Sequence, residues 1–321
     1  AEGSGSVISG CKTSGKIVGQ HLVAGIVGTC DSEDGCIITN CINESEITGT
    51  AIAGGIAGWG QGTIASCVNR GSVTGKPVVL WYEGEEDRIT SFEIGGIAGM
   101  SNNTTIIENC CNLGTISGNT HVGGIVGNCG YFIDEDNVEY LTSMKNCFNV
   151  GAVTSTLETD GEHYIGSIIG TVTGDIWSDE GLLPGLADVS NCYYLAGTAE
   201  KGIAVCNDGT DTTTVKTAEE FAAGEVAYLL QEGNGGNTSA IIWGQNLAAD
   251  KAPVLTDNTE KTVYKVAFVA DETEYAMKYA NPSGPTSLPD APIKSGYVFN
   301  GWYREADCTN VWDLDTDTVT T

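Results

Sequence analysis

The chain has 321 residues, with 42 acidic against 14 basic side chains and a formal net charge of −28. It lacks the clustered Lys and Arg that a phosphate backbone requires, so nucleic acid is excluded as a partner and anionic membrane surfaces are disfavoured. No run of about 18 apolar residues offers a bilayer span, the 44 glycines follow no G-X-Y period, and a charge of this size favours a soluble monomer.

The first residues, AEGSG, have neither a charged n-region nor an apolar h-region. A secretory signal is therefore expected to be absent or already removed, and the chain to be a mature-like fragment of a longer exported protein.

One phrase then recurs six times: GCKTSGKIVG, NCINESEITG, SCVNRGSVTG, NCCNLGTISG, NCFNVGAVTS and NCYYLAG, centred on Cys11, Cys41, Cys67, Cys110, Cys147 and Cys192. Ahead of five of them lies a second phrase: AGIVG (24–28), GGIAG (54–58), GGIAG (95–99), GGIVG (123–127) and GSIIG (166–170). Successive phrase cysteines are 30, 26, 43, 37 and 45 residues apart, so a short core unit carries insertions of varying length. A fixed core with variable loops predicts a solenoid, and apolar segments of about four to six residues predict strands rather than helices. Stacking sets Ile56 over Ile97 and Ile125, and Cys67 over Cys110 and Cys147.

Side chains in such a column point the same way one strand apart. The six phrase cysteines are therefore expected as buried thiols rather than as a disulfide framework. Cys30 and Cys129 share a second column, and Cys36 lies six residues beyond Cys30 across the acidic loop DSEDG. A Cys30–Cys36 loop disulfide is open there, for geometry to decide. No cysteine pair has zinc-site spacing, and no cofactor is expected.

Insertions fall at 77–91, 131–143, 155–162 and 173–188. The first holds the proposed ligand patch: Trp81 and Tyr82 beside Glu83, Glu85, Glu86 and Asp87, flat rings next to carboxylates as a sugar would need. The competing reading packs both rings onto the coil. Acidic runs at Asp134 to Asp136 and at Asp179 with Glu180 read as solvated loops, with calcium binding or catalysis as alternatives. Trp59, Trp177, Tyr193 and Tyr194 read as packing residues.

The only strong helical pattern is 216–232, KTAEEFAAGEVAYLLQE, with Thr217 as N-cap, Glu220 as its capping-box partner and Gly233 as the stop. Within a capping segment 201–260 it is expected to close the open end of a solenoid at 1–200. From 261 the texture changes again. An alternating run at 263–269 and a second run at 297–303 read as strands, separated by Pro282, Pro285, Pro289 and Pro292.

The GGIxG and NCxNxGxVTG phrases resemble the GLUG motif of large bacterial surface and secreted proteins, although Ser45 stands where its second unit should carry Gly. The tail, with Gly296, Tyr297, Phe299, Gly301, Trp302, Tyr303, Cys308 and Trp312, is similar to the Listeria-Bacteroides repeat, a β-grasp-like module of the internalin type. Together these resemblances imply a modular cell-surface protein, in families described as adhesive or stalk-like, whose peptidases, where present, lie outside the repeats. They supply no ligand.

Catalytic motifs are missing: no GxSxG, HExxH, CxxC or P-loop phrase occurs. His21, His121 and His163 each lie three or four residues before the second position of a glycine pair and are expected to share one repeat column. The resulting expectation is a mainly β chain, a glycine-rich β-solenoid with a helical cap and a small β-grasp-like module, without enzymatic activity. Its partner is expected to be an extracellular ligand, a glycan or a host or bacterial surface protein. The alternative is a polysaccharide lyase or hydrolase built from acidic loops, which requires two or three carboxylates from different coils within about 5 to 10 Å.

Overall fold

In a computed structural model the chain divides into two compact units, Ala1–Lys216 and Thr217–Thr321. The structure describes residues 5–30, 35–76, 78–82, 85–89, 93–102, 104–130, 132–133, 139–156, 163–173, 187–206, 211–236, 242–247, 249–282, 288–313, 317 and 319, with backbone only at 78–82, 85–89, 132–133, 139–140 and 242.

Each repeat of the first unit makes one coil that contributes a strand to each of three parallel sheets. Coil 2 shows the pattern: Cys36–Thr39 on the first sheet, Ile42–Gly49 on the second, and Ile52–Gly54 with Ala57–Gly60 around the glycine bend of the third. The first sheet aligns Ile8, Ile38, Ile64, Ile107, Met144 and Val189 across six coils. At the glycine bend, Ile56, Ile97, Ile125 and Ile168 stack as expected, each amide donating to the next carbonyl at 2.9 Å. These side chains and the phrase cysteines fill one core, while Val23, Ile47, Ala53, Val73, Ile94, Ile116, Val122 and Val153 fill a second.

The residue before every phrase cysteine explains the local spelling. Gly10, Asn40, Ser66, Asn109, Asn146 and Asn191 all have φ between 49° and 67°, the left-handed region. Gly adopts it freely and Asn more readily than other residues with a Cβ, and the bend it makes carries the chain from the first sheet to the second.

Strand pairing continues past position 200, where Lys201–Val205 joins the third sheet and Thr214–Lys216 the second. The helical segment is in the second unit and is two helices rather than one. Thr217 and Glu220 form the anticipated capping box on Ala218–Ala222, but Gly224, at φ 92°, breaks the run before Glu225–Gly233. Gln245, fully buried, donates to Phe221 O at 2.8 Å and so takes up a carbonyl at the end of the first helix.

In the tail, Tyr264–Ala270 pairs with Thr273–Ala280, a strand absent from the sequence reading. Asp271 and Glu272, both at positive φ, make the two-residue turn between them. The strand expected at 297–303 is not formed; only the bridge Tyr303↔Val311 is. Gly296 at φ 83° and Gly301 at φ 129° interrupt the extended run. Trp302 centres this small core, with its ring 5.0 Å from Phe268 and 5.3 Å from Phe299.

Candidate functional site

The third sheet begins each strand with a residue outside the repeated phrase. Ile52, Glu93, His121 and Tyr164 occupy that position in coils 2 to 5 and pair in register. Their successors Ala53, Ile94, Val122 and Ile165 pack into the second core, so by strand alternation these four face away from it. Three neighbouring coils thus present a carboxylate, an imidazole and a phenol in one row.

The row is closely packed. His121 is 7% exposed and the Glu93 side chain 13%. His121 Nδ1 lies 3.9 Å from Glu93 Oε1, too long for a hydrogen bond, and has no other partner among the described residues. On its other side the imidazole meets the Tyr164 ring, centroids 5.3 Å apart and planes at 30°. The same corner in coil 5 holds a second histidine, with His163 Nδ1 3.0 Å from Ser155 Oγ. Ser155 in turn donates to Asn119 O of coil 4 at 3.3 Å, and Thr156 Oγ1 donates to Asn119 Oδ1 at 2.5 Å.

This corrects the histidine expectation. His121 aligns with Tyr164, so His163 falls one position earlier, and the three histidines do not share a column. Glycine spacing misled within a tolerance of one residue: the row position lies two residues before the first of the glycine pair in every coil, an offset that His121 has and that His163 and His21 miss by one. The better signal was substitution at a fixed place: the phrase is constant after Ile52, Glu93, His121 and Tyr164, yet those four differ in chemistry.

The proposed ligand patch lies at the same corner of coil 3. Val78–Tyr82 and Glu85–Ile89 form an antiparallel hairpin, pairing Trp81 with Glu86, Tyr82 with Glu85 and Leu80 with Asp87. Glu83 is outside the described residues, as are Asp134 to Asp136, Trp177, Asp179 and Glu180. The hairpin leaves coil 3 after Val73–Gly75 and returns to it at Glu93, the first member of the row.

The phrase cysteines form the column that their repeat position suggests. Amides of Ile42, Val68, Cys111, Phe148 and Tyr193 donate to the carbonyls of Cys11, Cys41, Cys67, Cys110 and Cys147 at 2.8–3.1 Å. Cys11 is exposed, whereas Cys41, Cys67, Cys110, Cys147 and Cys192 are buried. Each buried thiol reaches a carbonyl of its own coil, as Cys67 Sγ does to Ala65 O at 3.2 Å, and a more distant one on the preceding coil. Burial pushes the thiols of Cys111 and Cys129 up to about 12, which leaves them inert at neutral pH. Cys30 and Cys36 are bonded to each other, with Cα atoms 6.1 Å apart.

A further column escaped sequence reading. Asn43 Nδ2 donates to Asn69 Oδ1, Asn69 to Asn112 and Asn112 to Asn149, each at 2.7 Å, and all four residues are fully buried. Glycine is required opposite them: a Cβ on Gly96 would stand 2.1 Å from Gly124 O and 2.6 Å from Asn112 Cγ.

The Listeria-Bacteroides repeat family matches residues 264–321. No curated protein matches the chain. Among solved structures, a provisionally named immunoglobulin A1 protease from Bacteroides ovatus is similar over 80% of this chain and 77% of its own, at 18% identity and a TM-score of 0.40. The matched tail segment belongs to the second unit, and the row described above to the first.

Proposed function

We propose that this chain is a non-catalytic extracellular module of a modular bacterial surface protein, an adhesive or stalk-like part that displays insertions from a rigid stack. The single observation that carries this reading is the placement of the hairpin 78–89. A regular array holds its register on both sides while one coil corner sends out paired aromatic and acidic residues. The Listeria-Bacteroides match at 264–321 supports a surface location for the whole. On this reading the array is of the GLUG type, the helical segment 217–233 serves as its cap, and the tail is a β-grasp-like spacer.

The test is binding of the whole chain to a glycan array and to immobilised host matrix proteins. The expectation is saturable capture by one class, lost in Trp81→Ala and Tyr82→Ala at unchanged thermal stability. Release of reducing ends or unsaturated sugars from a polysaccharide panel would replace this reading with the enzymatic one.

A further inference from the structure

Coil 1 presents an open edge. Its second-sheet strand, Lys12–Val18, pairs in parallel with Ile42–Gly49 of coil 2 and with no other strand among the described residues. Val18 is 67% exposed and Cys11 is exposed, whereas Cys41, one coil further in, is buried. Ile17 is only partly buried, although Ile47, Val73, Ile116 and Val153 of the same column are at most 3% exposed. The second core therefore reaches the surface beside a strand edge that another strand can extend.

The side chains of this edge specify what fits it. The asparagine column has one polarity, each Nδ2 donating to the next Oδ1 away from coil 1, and Thr13 stands at its head, donating Oγ1–H to Asn43 Oδ1 at 3.0 Å. With its proton committed, the Thr13 oxygen is an acceptor, and an asparagine one strand further out would donate to it. Ile17 calls for an apolar neighbour on the same inner face. On the outer face, Lys12 and Lys16 are the only Lys, Arg, Asp or Glu in residues 5–30 of a chain with net charge −28. Lys12 pairs with Glu44 at 2.9 Å, while Lys16 has no ion pair among the described residues. Two cations on this face oppose the same edge of a second copy, which would bring two more, and favour carboxylates.

We propose that the free edge of Lys12–Val18 takes an extended acidic segment of a partner protein as an added parallel strand, with Asn opposite Thr13, a carboxylate opposite Lys16 and an aliphatic residue opposite Ile17. The strand Ile42–Gly49, INESEITG, meets the same three requirements on the other side of Lys12–Val18, where Asn43, Glu46 and Ile47 hold those registers. That strand is itself paired on both sides and so is not the occupant. Main-chain bonds supply the affinity of such an added strand, and its alternate side chains the selectivity. This goes beyond the adhesive reading, since it uses neither the hairpin 78–89 nor a glycan.

The whole isotope-labelled chain is titrated with the end-blocked peptide INESEITG and with its analogues INQSQITG, INKSKITG and IAESEITG. The expected result is a saturable shift of the backbone amides of 12–18 with INESEITG, at a dissociation constant of about millimolar. Amide exchange in that strand should slow about tenfold at a peptide concentration about ten times that constant. INQSQITG should bind about fivefold more weakly through loss of its carboxylates, and IAESEITG about fivefold more weakly through loss of the bond to Thr13. Lys16→Glu should reverse the preference, so that INKSKITG binds better than INESEITG. Lys16→Gln, which puts no like charge beside Glu46, should abolish the preference between INESEITG and INQSQITG and serves if Lys16→Glu fails to fold. Silence of 12–18 with every peptide overturns the proposal and leaves Lys12 and Lys16 as guards against edge pairing. Equal binding of all four peptides overturns it too, as does self-association of the unliganded chain that protects 12–18, which would give the edge to a second copy. Capture on the glycan array is unaffected by any of these outcomes.

Discussion

Two polar columns run along the same stack, and they obey different rules. Inside, Asn43, Asn69, Asn112 and Asn149 repeat one residue in four coils, and each amide bonds to the next at 2.7 Å. Outside, Glu93, His121 and Tyr164 occupy equally regular positions with three different side chains, leaving His121 Nδ1 and the carboxylate unjoined. Repetition of a residue at a fixed place satisfies the neighbouring coil and serves the stack. Variation at a fixed place forms no such continuous chain of bonds, and His121 Nδ1 is left without a partner among the described residues.

The largest test of this contrast is Gly96→Ala. The added Cβ meets Gly124 O at 2.1 Å and the Asn112 amide at 2.6 Å, both backed by fixed backbone, so neither column nor bend can yield. Destabilisation of about 4 kcal/mol or more is expected, read as a lower urea midpoint or as failure to fold. Asn112→Ala should cost about 3 kcal/mol, because Asn69 Nδ2, Asn149 Oδ1 and Gly114 O each lose a bond in a dry interior. An effect below about 1 kcal/mol would show that the inner column is dispensable.

High pH probes the same interior through its thiols. Burial holds Cys111 and Cys129 at about 12, against 9 for an unburied thiol, so the fold favours their protonated form. Both contributions are fully present below pH 9 and are lost as pH rises from 9 towards 12, because the unfolded chain then releases protons that the native state retains. Urea midpoints should fall across that window and more slowly in Cys111→Ser or Cys129→Ser. A thiol titration of the unfolded, unreduced chain should find the ten free cysteines, and of the folded chain chiefly Cys11 and Cys308, the two exposed ones.

How far this was legible depended on repetition. Isoleucine and cysteine columns could be read because the same letters recur beside glycine, and register follows from that recurrence. The asparagine column was present in the same phrase, yet its role needed the distance between coils. Glu93, His121 and Tyr164 looked unrelated in sequence because the connection before them varies, from residues 119–120 ahead of His121 to 156–163 ahead of Tyr164 and 76–92 ahead of Glu93. In the second unit there is no repeat to lean on. The break at Gly224 and the bends at Gly296 and Gly301 are single left-handed glycines, whose effect depends on tertiary partners such as Gln245.

The outer row predicts the opposite mutational response. Glu93→Gln removes a largely buried charge that has no Lys or Arg paired with it among the described residues, while retaining the size and an acceptor oxygen for His121. Stability should be unchanged or raised by up to about 1 kcal/mol, read as the urea midpoint. A loss as large as that for Asn112→Ala would place Glu93 in the structural class and dissolve the contrast between the columns.

Ser66→Asn is the smallest test and the one that isolates the backbone. Ser66 holds φ 53° where four other coils carry Asn and one carries Gly. Its amide donates to Glu108 O at 3.0 Å, as Asn40 does to Ala65 O and Asn109 to Lys145 O, so the replacement keeps the ladder bond. Asn tolerates the left-handed region better than Ser because its short amide can bond locally to the backbone. A gain of about 0.5 kcal/mol in the urea midpoint is expected, with Ser66→Gly close to it, since glycine relieves the same strain but loosens the unfolded chain. A loss in both variants would mean that the Ser66 hydroxyl, and not the bend, is what coil 3 uses at this position.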